Sequence, residues 1–146
     1  MASIWKTVRS LFGGNVGDVA DEDISKTTLT FYSKDDPEME AAWQKARDSV
    51  GQFIEALDDP QFRDAVFYVK KRVDEGERTE HLWLSSIRVE GDKFVGVVDN
   101  DPQVVTNVAR GQPARVAFAE ISDWMIAKGD EMLGGFTVDL LMRRRG

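Results

Sequence analysis

From residue 65 onward the apolar side chains stop recurring every three to four positions and begin to alternate, in segments separated by turns of only a few residues. Connections that short join antiparallel strands, because a parallel pair needs a crossover of roughly a dozen residues or more. Residues 65–73, with Val66 and Tyr68, read as a first strand, 78–89 as a second and 93–99 as a third. Asp74, Glu75, Gly76 and Glu77 turn the chain once, and Glu90, Gly91 and Asp92 turn it again. Asp99, Asn100, Asp101 and Pro102 then break the sheet with side chains that favour turns. Residues 103–109 fit a short helix or a fourth strand, and 114–118 a clearer strand that continues irregularly into 123–126. Lys128, Gly129 and Asp130 form another hairpin turn, and Gly134 with Gly135 marks the break before a final helix over 137–145.

Upstream of the alternation the period is that of a helix. Asp35 or Asp36 can cap it and Pro37 suits its first turn. Met39, Ala42, Trp43, Ala46, Val50, Phe53, Ile54 and Leu57 fall on one face, and Asp58, Asp59 and Pro60 end it. The pattern predicts one long helix over 37–57 whose apolar stripe covers the sheet. Residues 1–14 form an amphipathic segment in which Lys6 and Arg9 interrupt Ile4, Trp5, Val8, Leu11 and Phe12. Such a segment folds back on its domain, or makes weak peripheral contact with an anionic membrane through Ile4, Trp5 and Phe12. Residues 15–35 read as an acidic linker with a short strand over 27–32. Its carboxylates lack the glycine and terminal glutamate of a calcium-binding loop. Residues 36–146 then make a single α+β domain: a strongly bent antiparallel sheet packed against one long helix, with a short C-terminal helix.

Composition narrows the chemistry. The 146 residues are enough for one core without disulfides or metals. No cysteine is present, which excludes thiolate metal sites, iron–sulfur clusters and cysteine nucleophiles, and a single histidine leaves no histidine-rich metal site. No metal and no cofactor is expected. Twenty-six acidic against nineteen basic side chains give a net charge of −7, so nucleic acid meets repulsion unless a local basic patch overrides it. No apolar run is long enough to span a bilayer, and the start of the chain lacks the pattern of a secretory signal, so a soluble cytoplasmic protein is expected.

The unusual residues fall between 80 and 141. His81 titrates near neutrality in its unperturbed state and is a candidate general acid or base. Glu80 beside it points to the opposite face of a strand, so a carboxylate partner has to come from elsewhere, such as Asp99 or Asp123. The ordinary alternative is a structural histidine hydrogen-bonded at a sheet edge. Alternation puts Glu80 with Leu82 and Leu84, either at an exposed strand end or paired with Lys70 or Arg72. Asp123 and Trp124 suggest an aromatic floor rimmed by a carboxylate, or more simply a core indole beside a turn aspartate. Asp99, Asn100 and Asp101 offer oxygen ligands for a hard cation, but three such residues before a proline more often build a turn. The segment Gly134-Gly135-Phe136-Thr137 opens a helix whose free amides can bind an anion, though it lacks the lysine and spacing of a P-loop. Ser85, Ser86 and Ser122 sit in no nucleophile motif. Arg143, Arg144 and Arg145 complement the carboxyl end of the last helix.

Several ordered motifs occur together: Glu80-His81-Leu82-Trp83, Gly91-Asp92-Lys93-Phe94-Val95-Gly96, Asp99-Asn100-Asp101-Pro102, Ile121-Ser122-Asp123-Trp124-Met125 and Gly134-Gly135-Phe136-Thr137. On these, over roughly residues 36–143, the sequence resembles the YegJ-like bacterial domain-of-unknown-function family. The resemblance implies a compact, mostly stand-alone bacterial domain, with the amino-terminal segment outside it and no catalytic residues to transfer. The functional expectation is a non-catalytic binding or regulatory module. His81, Trp83, Asp99, Asn100, Asp123, Trp124 and Thr137 would form its polar and aromatic patch for a protein or small-molecule ligand. Neutralisation of a basic toxin by an acidic domain is one concrete version. The alternative is a small hydrolase-like enzyme using His81 with Asp99 or Asp123.

Overall fold

In a computed structural model that describes residues 36–145, six strands form one sheet in the order β4-β3-β2-β1-β5-β6, and every neighbouring pair is antiparallel. The strands are β1 Val66–Glu75, β2 Arg78–Glu90, β3 Lys93–Val98, β4 Pro113–Ala117, β5 Asp123–Lys128 and β6 Glu131–Gly134. Helices α1 Pro37–Asp48 and α2 Val50–Leu57 precede the sheet and α3 Phe136–Arg145 follows it. The class is α+β. The expected amphipathic segment over 1–14, the acidic linker, the strand over 27–32 and the expected membrane contact all lie outside the described residues.

Two details of the expected architecture change. The sheet is open and neither closed nor strongly curled. The long helix is two helices that meet at Ser49. Asp36 caps α1 by accepting from the Met39 amide at 3.1 Å, with Pro37 in the first turn. At Ser49 the hydroxyl donates back to the Lys45 carbonyl at 2.7 Å and accepts from the Trp124 indole at 3.0 Å. Serine bonding of this kind bends helices. Beyond the bend, α2 drives Phe53 into the sheet against Phe67, Phe94 and Trp124, with ring centroids 5.2–5.7 Å apart. Residues 103–109 form neither helix nor strand.

The pairing register divides the two faces. Val69 lies opposite both Leu84 and Trp124, and these with Leu82, Val98 and Ile126 form the main core under Phe53. The opposite face carries Tyr68, Trp83 and Met125, covered by Val138 of α3. Between Ser85 and Arg88 strand β2 carries a bulge in which Ser86 adopts a φ of 53°. Opposite the bulge stands Gly96, where a Cβ would come within 2.6 Å of the Ser85 carbonyl oxygen.

Candidate functional site

Five of the residues expected on a recognition patch, Trp83, Asn100, Asp123, Trp124 and Thr137, are inside the protein. Asp123 and Thr137 are fully buried, and Trp83 and Trp124 are only 2% and 3% exposed. Burial is imposed by register. Lys70 of β1 faces Trp83 on one neighbouring strand and Asp123 on the other, and α3 closes over all three. The Lys70 ammonium donates to the Thr137 hydroxyl at 2.7 Å and lies 4.7 Å from the Trp83 ring centroid. Thr137 passes its own proton toward Asp123 at 2.6 Å. Asp123 also accepts from the backbone amides of Trp124, Phe136 and Thr137. The helix-opening amides at Phe136 and Thr137 therefore do hold an anion, but it is the protein's own carboxylate. Burial lowers the Lys70 pKa to about 8, opposed by the charge of Asp123. Burial raises that of Asp123, opposed by Lys70 and the Thr137 bonds.

Glu80 takes neither of the places foreseen for it. It is buried beside Leu82 and Leu84, and its carboxylate accepts from three consecutive amides, Gln103, Val104 and Val105, at 2.8–3.1 Å. That clasp lets residues 103–105 do without regular structure, since a side chain satisfies their amides, and Glu75 and Gln112 do the same for the amides of Thr106 and Ala109. Asn100, also buried, accepts from the Trp83 amide at 2.8 Å, and half-buried Asp99 accepts from the Ser85 hydroxyl at 3.2 Å. Burial raises the Asp99 pKa, with the Ser85 bond opposing. These residues build the turn. Among the described residues no group of three or more histidine, aspartate or glutamate side chains could hold a metal ion.

His81 behaves differently from the rest. It lies opposite Arg72, half-buried, with Nδ1 2.6 Å from the Ser122 hydroxyl and its ring stacked on Trp43 of α1 at 5.2 Å. Among the described residues it forms no hydrogen bond with Asp99 or Asp123, which are occupied as above. Desolvation, and then the positive charges of Lys70 and Arg72, lower its pKa to about 3, with Asp74 opposing and Arg47 adding to the effect. The imidazole is neutral at physiological pH.

His81, Ser122 and Trp43 border a half-open cleft of about 670 Å³. Among the described residues five cations line it, Arg47, Lys71, Arg72, Lys93 and Arg115, against two carboxylates, Asp74 and Glu120. Arg72 pairs with Asp74 at 3.0 Å, and Arg115 approaches Glu90 at 3.8 Å. Arg47 gives its Nε to the Ile121 carbonyl and Lys71 gives its ammonium to the Arg115 carbonyl, both neutral acceptors. Sequence reasoning missed this cleft. Ser122 had no motif, Trp43 belonged to an apolar stripe, and each cation taken singly looked like solvated surface.

The chain belongs to a family of uncharacterised bacterial proteins: the family described as "Uncharacterized protein conserved in bacteria (DUF2314)" matches residues 36–145. It is 39% identical over 116 residues to "Uncharacterized protein YegJ" of Escherichia coli K12, covering 79% of this chain and 74% of that protein. It is 32% identical over 122 residues to a "Putative ankyrin repeat protein" of Neisseria meningitidis serogroup B, covering 84% of this chain and 43% of that longer protein. No solved structure matches. Among the described residues no helix is long and apolar enough to cross a membrane.

Proposed function

We propose that this chain is a non-catalytic binding or regulatory domain that recognises a protein or small-molecule ligand, and that the cleft beside His81 is where it does so. The observation that carries this is the cleft itself: its volume falls within the roughly 300–1,000 Å³ of small-molecule sites, and several side chains of one sign converge on it. Of the polar and aromatic residues singled out in the sequence, His81 borders this opening, whereas Trp83, Asp123, Trp124 and Thr137 are sealed. The rival reading, an acid/base hydrolase, needs His81 coupled to Asp99 or Asp123. Both carboxylates are committed elsewhere, and an imidazole with a pKa of about 3 is a poor base at neutral pH.

The test uses the full chain and size-fractionated extract of the native host. A fraction is expected to raise the melting temperature of the wild type by several degrees but not that of a Lys71→Gln/Lys93→Gln variant. Absence of any such fraction, or equal shifts in both proteins, counts against the cleft. We also propose a cytoplasmic location, with weak membrane contact through Ile4, Trp5 and Phe12. Removing residues 1–14 should then reduce co-sedimentation with anionic vesicles while leaving the melting temperature unchanged.

A further inference from the structure

We propose that the ligand class of this cleft is a small phosphorylated molecule carrying two or more negative charges, held by Arg47, Lys71 and Lys93 beside the His81–Trp43 stack. The inference rests on the cleft being the recognition site and adds the chemistry of what enters it.

Three observations support the assignment. First, positive charge is concentrated against the trend of the molecule: in a chain of net charge −7, the described residues put five cations and two carboxylates around one opening. Second, three of those cations have no carboxylate partner among the described residues. Arg47 and Lys71 are fixed by carbonyl groups, which orient their charge without neutralising it, and the Lys93 ammonium makes neither ion pair nor hydrogen bond among the described residues. Cations that border one opening attract a counter-charge, so a bound anion gains from their summed field as well as from direct contacts. Third, burial and the charges of Lys70 and Arg72 keep His81 neutral, so it adds no charge of its own beside these cations.

The three donors come from three different elements, α1, β1 and β3. A tetrahedral phosphate with three acceptor oxygens and about two negative charges matches such donors better than a planar carboxylate of one charge. A phosphate group fills only part of 670 Å³, leaving room for an organic remainder.

The chain's single histidine makes the test direct, because its imidazole gives one set of resonances located at the cleft. Inorganic pyrophosphate is titrated into the full chain at pH 7 while the His81 Hε1 and Hδ2 shifts are followed, with citrate and a single-stranded oligonucleotide as comparison ligands. Pyrophosphate should produce a saturable shift, at least about tenfold tighter than citrate, and weaken with added salt as ion-paired binding does. Lys71→Gln/Lys93→Gln, two changes outside the core, should weaken it by about tenfold or more with an unchanged melting temperature. No shift, equal affinity in the double variant, citrate binding as tightly, or an oligonucleotide binding more tightly than pyrophosphate would each overturn the assignment. If an extract fraction still stabilises the wild type selectively while pyrophosphate fails, the cleft is a recognition site for another class of ligand. If neither acts, the site itself is refuted.

Discussion

Lys70 and Asp123 stand opposite each other on adjacent buried strands, bridged by the Thr137 hydroxyl, which accepts from one and donates to the other. Removing one charge strands the other in the interior. Lys70→Met should lower the free energy of unfolding by about 3–5 kcal/mol and Thr137→Val by about 1–3 kcal/mol. Lys70→Met/Asp123→Asn should cost less than the sum of its single changes. Urea denaturation measures all of these, and a Lys70→Met cost below about 1 kcal/mol would show that the pair contributes nothing to the fold.

The same cluster gives stability a pH signature. Native Lys70 loses its proton near pH 8, below the ordinary lysine value of 10.5, so between these values the unfolded chain binds more protons and stability rises with pH. His81 has the same sign in another window. Its native pKa of about 3 lies below the ordinary 6.5, so its contribution is complete above 6.5 and is lost as pH falls toward 3. Each group can contribute a slope of up to about 1.4 kcal/mol per pH unit within its window. Asp123, with a raised pKa, acts in the opposite direction on the acid side. The difference between wild type and His81→Gln therefore isolates the histidine, and the variant should show the shallower loss between pH 6.5 and 4.5.

Glu80 should matter more than its place in a hairpin suggests. Glu80→Gln keeps the shape but leaves one carbonyl oxygen where two carboxylate oxygens received three amides. An expected cost of about 1–3 kcal/mol should be accompanied by faster hydrogen exchange at the amides of Gln103, Val104 and Val105. Unchanged exchange there would mean the loop holds itself.

Gly134 cannot carry a side chain. Its φ is +74°, and a Cβ would lie 2.6 Å from Cε3 of the buried Trp124 ring. Gly134→Ala should cost on the order of 2–4 kcal/mol by thermal or urea unfolding, combining left-handed strain with overpacking. Gly129→Ala is the control: a similar φ of +58° with nothing within 4 Å should cost only about 1–2 kcal/mol.

Strand order along the chain, the hairpin turns and the last helix were legible because alternation and turn residues are local signals. Val66 to Glu75 and Arg78 to Glu90 sit within two residues of where the pattern put them. The bend at Ser49 was not legible, since one of its causes is an indole 75 residues away. The fate of Asp123 was hidden for a related reason. A carboxylate before a tryptophan looks like a turn residue until β1 supplies a lysine opposite it and α3 supplies two amides. The cleft was least visible, because its cations lie on α1, β1, β3 and β4, which come together only in the folded chain.

Asp36 begins the described chain and Arg144 is its penultimate residue, yet the two are joined by paired hydrogen bonds of 2.6 and 2.7 Å. The guanidinium holds that carboxyl below its usual pKa, which favours the charged form of the clamp. Entry and exit of the fold are thus neighbours in space. A unit closed in this way can be let into a longer polypeptide through two short connections at one corner, leaving the sheet and the cleft undisturbed.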